Sequence, residues 1–310
     1  MDGVLVIDKP EGWTSHDAVA IVKKALHAKK VGHLGTLDPA ATGVLPLVVN
    51  GATGFARILE AGDKEYLATL KLGTETDTYD SEGKVVSTVD ASGVAVGEIK
   101  EAFSRFRGTI HQVPPMFSSV KRSGTPLYKL ARKGITVERQ PKVVEIFTLD
   151  VLKVSPPYVE FRAVCSRGTY IRTLSHDIGK ALGCGAHLSS LRRTRSGEFT
   201  LEGAVGPREP KEVFEKRLIP LDLALQRVAG RFKSISVDEE TAARIRLGGR
   251  FSPEEWKGFF PFLEDGEMVR FSSCGVLVAL AEYVKKGGWQ ESGVFSIKKV
   301  FPAEGAALSV

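Results

Sequence analysis

Strand-like alternation, helical spacing of apolar residues and a closing stretch of short apolar segments predict a protein of mixed helix and sheet, with one larger unit and one smaller. The alternation is clearest where Tyr66, Ala68, Leu70 and Leu72 interleave with Leu67, Thr69 and Lys71. The helical spacing is clearest at 97–107, where Ile99, Ala102, Phe103 and Phe106 share one stripe and Gly108 stops it. The short strands fall at 232–237, 268–272, 276–280 and 295–301, inside a compact unit expected at 231–310. With 310 residues, 43% of them apolar, the chain can bury a sizeable core.

The elements come in the following order. Gly3, Val4, Leu5, Val6 and Ile7 open as a strand that ends at Asp8-Lys9-Pro10. Thr14-Ser15-His16-Asp17 is an N-terminal capping pattern ahead of Ala18, Val19, Ile21, Val22, Ala25 and Leu26, which are spaced as a helix. A glycine-rich loop centred on Asp38 leads to an apolar strand at 44–49 and a short helix at about 54–59. From 110 to 139 loop formers mix with Phe117, Lys121, Arg122, Tyr128, Lys129 and Arg132, which reads as a mobile basic insertion or as an ordinary surface loop. Residues 158–165 alternate as a strand, and Arg167-Gly168 turns into a helix beginning near Thr169, with Ile171, Leu174, Ile178 and Leu182 as its stripe. Arg172 falls in its first turn, where the helix dipole disfavours a cation, so it needs an anionic neighbour or ample solvent. Prolines 207, 210 and 220 break up the stretch 203–220, and a helix at 238–247 is closed by Gly248-Gly249.

Lys and Arg outnumber Asp and Glu by 43 to 37, and patches such as Lys121-Arg122, Arg192-Arg193-Thr194-Arg195 and Lys298-Lys299 suit a polyanion. Cys165, Cys184 and Cys274 are scattered among apolar or small neighbours and read as buried thiols, with neither a disulfide framework nor a zinc pattern. The opening strand in place of a signal peptide, and the lack of any ~20-residue apolar run, lead to the expectation of a reduced, cytoplasmic setting without a membrane partner.

The chemistry centres on Gly32-His33-Leu34-Gly35-Thr36-Leu37-Asp38-Pro39-Ala40-Ala41-Thr42-Gly43. Pro39 pushes Asp38 out of the helical region, and Gly35 and Gly43 permit turns and close backbone approach. The loop holds no second acid and no Asp-x-Asp spacing, and the chain has no phosphate loop and no dinucleotide fingerprint. A lone nucleophile or electrostatic stabiliser remains.

Five segments in order resemble the bacterial TruB family of tRNA pseudouridine synthases. They are Lys9-Pro10-x-Gly12-x-Thr14-Ser15, the 35–43 loop, Gly73-x-x-Thr76-Asp77-Thr78-x-Asp80-x-x-Gly83, Pro114-Pro115-x-Phe117-Ser118, and the 165–172 turn through Arg172. The resemblance implies an α+β pseudouridine synthase fold, a mixed and mostly antiparallel central sheet with flanking helices, at 1–230. It implies a β-rich PUA-like RNA-binding domain at 231–310. It further implies isomerisation of the uridine at position 55 in the tRNA T loop, by a monomer with no guide RNA, cofactor or metal.

Residue by residue, the resemblance gives Asp38 as the indispensable carboxylate. Tyr66 becomes the residue that stacks on the base and is a candidate to take its C5 proton, and Arg172 the partner of the carboxylate. His33 braces the vacated loop, Leu191 lines the pocket, and Lys9 joins the substrate-binding set. The insertion closes on RNA, with Lys121, Arg122, Lys129 and Arg132 meeting phosphates and Phe117 and Tyr128 offering stacking faces. A base inside a folded loop must be extruded first, at a cost of a few kcal/mol in stacking. Arg172 is expected to keep Asp38 ionised, whereas a phenol with a reference pKa of ~10 is a poor base. Without the resemblance, the favoured reading makes Tyr66 a strand-edge core aromatic, Leu191 a core residue, Arg172 a structural ion-pair partner and His33 a loop histidine capping backbone groups. Two other functions stay open, a non-catalytic RNA-binding protein and a guide-RNA-dependent synthase.

Overall fold

The computed structural model describes all residues except 61, 123, 249–261, 286–292 and 304–310. Gly249, Ser123 and the last seven residues of the expected C-terminal domain therefore lie outside the described residues. The chain forms two compact units, Met1–Ile219 and Pro220–Val310.

The first unit is built on a ten-stranded sheet. In chain order its elements are β1 (Gly3–Lys9), α1 (Ser15–Ala25), β2 (Val31–His33), β3 (Thr42–Val49), a 3-10 turn (Asn50–Phe55), α2 (Ala56–Leu59), β4 (Lys64–Leu72) and the hairpin β5 (Thr74–Thr76) with β6 (Val85–Thr88). Then come α3 (Val96–Ser104), β7 (Gly108–Gln112), a small hairpin of β8 (Lys121–Arg122) and β9 (Thr125–Pro126), α4 (Leu127–Ala131), β10 (Lys142–Ser155), β11 (Tyr158–Cys165), α5 (Ile171–Ala181), β12 (Ala186–Ser196), β13 (Phe199–Thr200), α6 (Lys211–Arg217) and β14 (Ile219–Pro220).

The sheet runs β14-β1-β3-β12-β4-β11-β10-β7, with β2 paired to β3 and β13 to β12. β12 lies parallel to β3 and antiparallel to β4, and the β1–β3, β4–β11, β11–β10 and β10–β7 pairings are antiparallel. This is the mixed, mostly antiparallel sheet expected. α3 and α5 cover the β4–β11 region through Ile99, Phe103, Leu174 and Ile178, which pack with Leu70 and Phe161. α1 packs Ala18, Val19 and Val22 with Leu5, Ile7, Leu45 and Leu47 from β1 and β3. Thr14 caps α1 in a capping box with Asp17, as its spacing predicts.

β12 places a basic segment at the centre of the sheet, which corrects the reading of 192–195 as a polyanion-binding patch. Arg193 is fully buried, Arg192 pairs with Asp8 at 2.8 Å, and Arg195 pairs with Asp63 at 2.7 Å. Arg192 and Arg195 are thus held by acids of the protein, and Arg193 by the backbone carbonyls of Gly35, Thr36 and Val44. Lys298 and Lys299 are likewise paired, with Glu282 at 2.7 Å and Asp222 at 2.6 Å. The expected insertion starts later than 110, because Ile110 and Gln112 belong to β7, in register with Val144 and Lys142 of β10.

The second unit holds α7 (Leu221–Ala229) and a four-stranded sheet of β15 (Lys233–Ser236), β16 (Met268–Ser273), β17 (Val276–Lys285) and β18 (Gly293–Val300), with α8 (Glu239–Arg246) capped by Asp238. Phe271, Tyr283 and Phe295 fill its core with Ile235, Ala242 and Ile245. The Asp222–Lys299 pair ties α7 to β18. Cys165 and Cys184 are buried, but Cys274 is exposed, because it occupies the turn between β16 and β17 at φ 49°.

Gly43 shows how tightly β3 is seated. Its φ is +102°, and a Cβ there would stand 2.2 Å from the Arg193 carbonyl oxygen on β12. Gly43→Ala is expected to cost more than about 2 kcal/mol of unfolding free energy in a urea titration, since backbone strain and a clash with backbone act together. A loss below about 0.5 kcal/mol would contradict this packing.

Candidate active site

Asp38 stands in the loop between β2 and β3, and backbone capture from several directions fixes that loop. Leu34, Leu37 and Ala41 are buried beneath it. The Ser15 hydroxyl accepts from the Leu37 N–H at 2.9 Å and donates to the Leu37 carbonyl at 3.0 Å, so one side chain satisfies both backbone groups of the residue before Asp38. On the other side the Lys9 ammonium donates to the carbonyls of Pro39, Pro10 and Trp13 at 3.1, 2.9 and 2.6 Å. Arg193 of β12 donates to Gly35 O at 3.0 Å, Thr36 O at 3.5 Å and Val44 O at 2.7 Å. The opening Lys9-to-Ser15 motif is thus a clamp on the two neighbours of Asp38.

Arg172 approaches from the first turn of α5. Gln112 at the end of β7 fixes that turn, because its side-chain amide donates to Tyr170 O at 3.0 Å and accepts from Tyr170 N at 2.7 Å. The Arg172 Nε lies 2.9 Å from Asp38 Oδ2. Nη1 donates to Thr78 O at 3.2 Å and lies 3.5 Å from Asp80 Oδ2, while Nη2 donates to Phe117 O at 2.7 Å. The anionic neighbours that the helix position requires are therefore Asp38 and Asp80. Asp80 in turn accepts from the Thr78 hydroxyl at 2.5 Å and from Glu82 N at 3.1 Å. One guanidinium ties together the Asp38 loop, the turn after β5 and the insertion.

These groups line a cleft of 810 Å³. Arg172 is 6% exposed, while Asp38 keeps 39% exposure because it faces the opening. Water reaches its carboxylate, but protein surrounds it on most sides. Burial lifts its pKa above the ordinary carboxylate range; Arg172 pulls it back, and Asp80 pushes it further up. Arg172 is thus the strongest influence favouring the ionised carboxylate, and it works against a larger desolvation effect. Burial also pushes the Tyr66 hydroxyl up to about 12, against the charge and hydrogen bond of Arg193. As a free base at neutral pH it is even poorer than an exposed phenol, while its ring lines the cleft beside Leu191.

The structure brings Asp38, Tyr66, Arg172, Leu191, Phe117, Tyr128 and Arg132 to this one cleft. Arg132 lies over the Tyr128 ring at 5.5 Å. His33 on β2 is not among the lining residues; its Nδ1 is buried without a hydrogen-bond partner among the described residues, and burial lowers its pKa. Lys121, Arg122 and Lys129 are exposed on the insertion and do not line the cleft. Lys9 is a correction to the substrate-binding set. It is fully buried, its ammonium is saturated by three carbonyls, and burial pushes its pKa down to about 8. It braces the loop instead of meeting solvent.

Sequence reasoning passed over Ser15, Gln112, Arg193 and Asp80 as individual residues. Ser15 and Asp80 stand inside quoted motifs, so their positions were visible without their roles. Gln112 and Arg193 act on backbone carbonyls and amides, which leave no pattern in side-chain identity.

Comparison with known proteins adds a separate line. The family described as "TruB family pseudouridylate synthase (N terminal domain)" matches residues 23–171, and "tRNA pseudouridylate synthase B C-terminal domain" matches 172–226. The chain is 44% identical over 291 residues to tRNA pseudouridine synthase B of Syntrophus aciditrophicus, covering 92% of each chain. With that of Syntrophotalea carbinolica it shares 38% identity over 307 residues, 99% of this chain and 100% of the relative. Among solved structures, a chain of a Cbf5-Nop10-Gar1 complex superposes with a TM-score of 0.70 at 29% identity, over 96% of this chain and 84% of that one. A chain of an H/ACA RNP bound to a substrate RNA containing 2′-deoxyuridine gives 0.66 at 27%, over 97% and 85%.

The Ser15 clamp has a direct test. Ser15→Ala strands the Leu37 N–H and carbonyl in a buried setting, and urea unfolding is expected to show a loss of about 1–3 kcal/mol. Wild-type stability in that variant would mean that the loop is held without it.

Proposed function

This chain belongs to the TruB family of pseudouridylate synthases and is a tRNA-modifying isomerase, and we propose that the uridine it isomerises is the one at position 55 of the T loop. The observation that carries this reading is the Asp38 carboxylate, open to the cleft and paired with Arg172, in a cleft that also presents the Tyr66 ring.

The reaction asks for little more. The N1–C1′ bond breaks, the uracil turns, a C5–C1′ bond forms, C5 gives up its hydrogen to water and N1 takes one up. Nothing is oxidised or reduced. Asp38 acts on the nucleotide at C6, at C1′ or on a sugar proton, and Arg172 keeps its charge available despite burial. Tyr66 stacks on the extruded uracil next to Leu191. Burial, which pushes the Tyr66 hydroxyl up to about 12, disfavours its phenolate as the acceptor of the C5 proton and favours the stacking role.

RNA reaches this cleft by extrusion of the target base, and Tyr128, Arg132 and Phe117 of the insertion stand where an entering strand would pass. In this reading the catalytic domain is 1–230 with its basic insertion running from after β7 to about 139, and 231–310 is a PUA-like module for the rest of the tRNA. The protein works as a cytoplasmic monomer on the T-arm stem-loop, without a guide RNA.

Tritium release from C5-labelled uridine in an unmodified T-arm hairpin tests this, with purified protein and no metal, cofactor or guide added. Wild type is expected to release tritium from the T-loop uridine alone, and Asp38→Asn to release it at least ~1,000-fold more slowly. If neither protein releases tritium although both bind the hairpin, the catalytic reading fails and an RNA-binding or guide-dependent role replaces it.

A further inference from the structure

Among the described residues, Lys64 is a cation of the cleft that takes no part in the pairings around Asp38. Lys64, the first residue of β4, lines the cleft and is 7% exposed. Among the described residues no hydrogen bond engages its ammonium and no carboxylate oxygen lies within 4.0 Å of it; Glu60 attracts it from beyond that distance. The other buried lysine of this region, Lys9, is satisfied by three carbonyls. Lysine is almost never buried unless paired, because an ammonium withdrawn from water needs a counter-charge or acceptors. Lys64 has no bonded acceptor among the described residues; it lines the open cleft and is drawn only by Glu60 at longer range.

Its surroundings add positive charge. A Cβ placed on Gly35 would stand 3.1 Å from Lys64 Cε and 3.5 Å from both Lys64 Nζ and Arg193 Nη1, so the bare backbone of the Asp38 loop lies against two cations at once. Arg193 and Arg167 both repel the Lys64 ammonium, and Arg167 is an exposed residue of the same cleft. Three cations thus converge on one part of the cleft, where Arg172 engages Asp38 and Asp80 and the other lining acids are Glu82 and Glu60, the latter attracting Lys64 from beyond ion-pair distance. Along β4, Lys64 and Tyr66 alternate with the half-buried Glu65 and share one face, about 6.6 Å apart along the strand. A pyrimidine stacked on Tyr66 would carry its ribose and phosphate into reach of the Lys64 ammonium.

We propose that Lys64 is a phosphate-binding residue, its ammonium taking a backbone phosphate of the extruded nucleotide between Gly35 and the guanidiniums of Arg193 and Arg167. This rests on the RNA-modifying reading above. The RNA phosphate supplies the close counter-charge that Lys64 lacks among the described residues, beyond the longer-range pull of Glu60.

The test pairs a protein change with a ligand change. Affinity for the unmodified T-arm hairpin is measured across a salt series for wild type, Lys64→Met and Lys64→Arg. It is repeated with hairpins carrying a neutral methylphosphonate at the phosphate on either side of the target uridine. Lys64→Met is expected to bind about ten-fold more weakly and to lower the slope of log Kd against log salt by about 1, and Lys64→Arg to restore the slope. One methylphosphonate is expected to weaken wild type by the same factor and Lys64→Met no further. An unchanged slope, or losses that simply multiply, would overturn the assignment. So would a fall of several degrees in the melting temperature of Lys64→Met, because removing an unpaired buried charge should not destabilise the fold. Tritium release by wild type with any of these contrary results leaves the isomerase reading standing and removes only the phosphate site. Tight hairpin binding with no release removes both.

Discussion

Asp38 and Arg172 meet at 2.9 Å inside a cleft where neither charge is fully hydrated, and every other part of the site exists to make that meeting possible. An ion pair withdrawn from water is stable only when geometry is good and the remaining donors are satisfied. Here the remaining donors go to Thr78 O, Phe117 O and Asp80, so one guanidinium records the positions of three chain segments far apart in sequence. If any of them moves, the arginine loses a partner and the carboxylate its counter-charge. The pair is thereby tied to the insertion through the Phe117 carbonyl.

The carboxylate side is equally constrained. Asp38 has no side-chain hydrogen bonds of its own to neighbouring amides among those described, so its direction comes from the backbone, and the backbone from Ser15 on Leu37, Lys9 on Pro39 and Arg193 on Gly35 and Thr36. Burying Lys9 and Arg193 costs desolvation, visible in a Lys9 pKa pushed down to about 8. The result is a loop that cannot relax away from Arg172. Arg193 also sits opposite Tyr66 across the β12–β4 pairing, so the strand bearing Tyr66 and the loop bearing the carboxylate share one brace.

Much of this was legible because it is written in local pattern. The strand at Tyr66, the helix after Gly168 and the capping box at Thr14 follow from period and capping chemistry, and the antiparallel sheet from the family resemblance. β12 was not legible: a central strand reading Leu-Arg-Arg-Thr-Arg carries no apolar alternation, and only the structure shows that its arginines are consumed by Asp8, Asp63 and backbone carbonyls. Lys9 misled for the same reason, since sequence shows a charge but not whether it meets solvent. Asp80 and Ser15 were within view but mute, because their partners, Arg172 and Leu37, are distant in the chain.

The central claim is that Arg172 acts as a fork joining Asp38, Asp80 and Phe117, and not merely as a positive charge. Arg172→Lys keeps the charge but loses the geometry, because an ammonium cannot address all three positions from one stem. Single-turnover formation of pseudouridine in a saturated T-arm hairpin is predicted to slow at least ~100-fold in this variant. A rate within about three-fold of wild type would show that charge alone suffices, and would contradict the account.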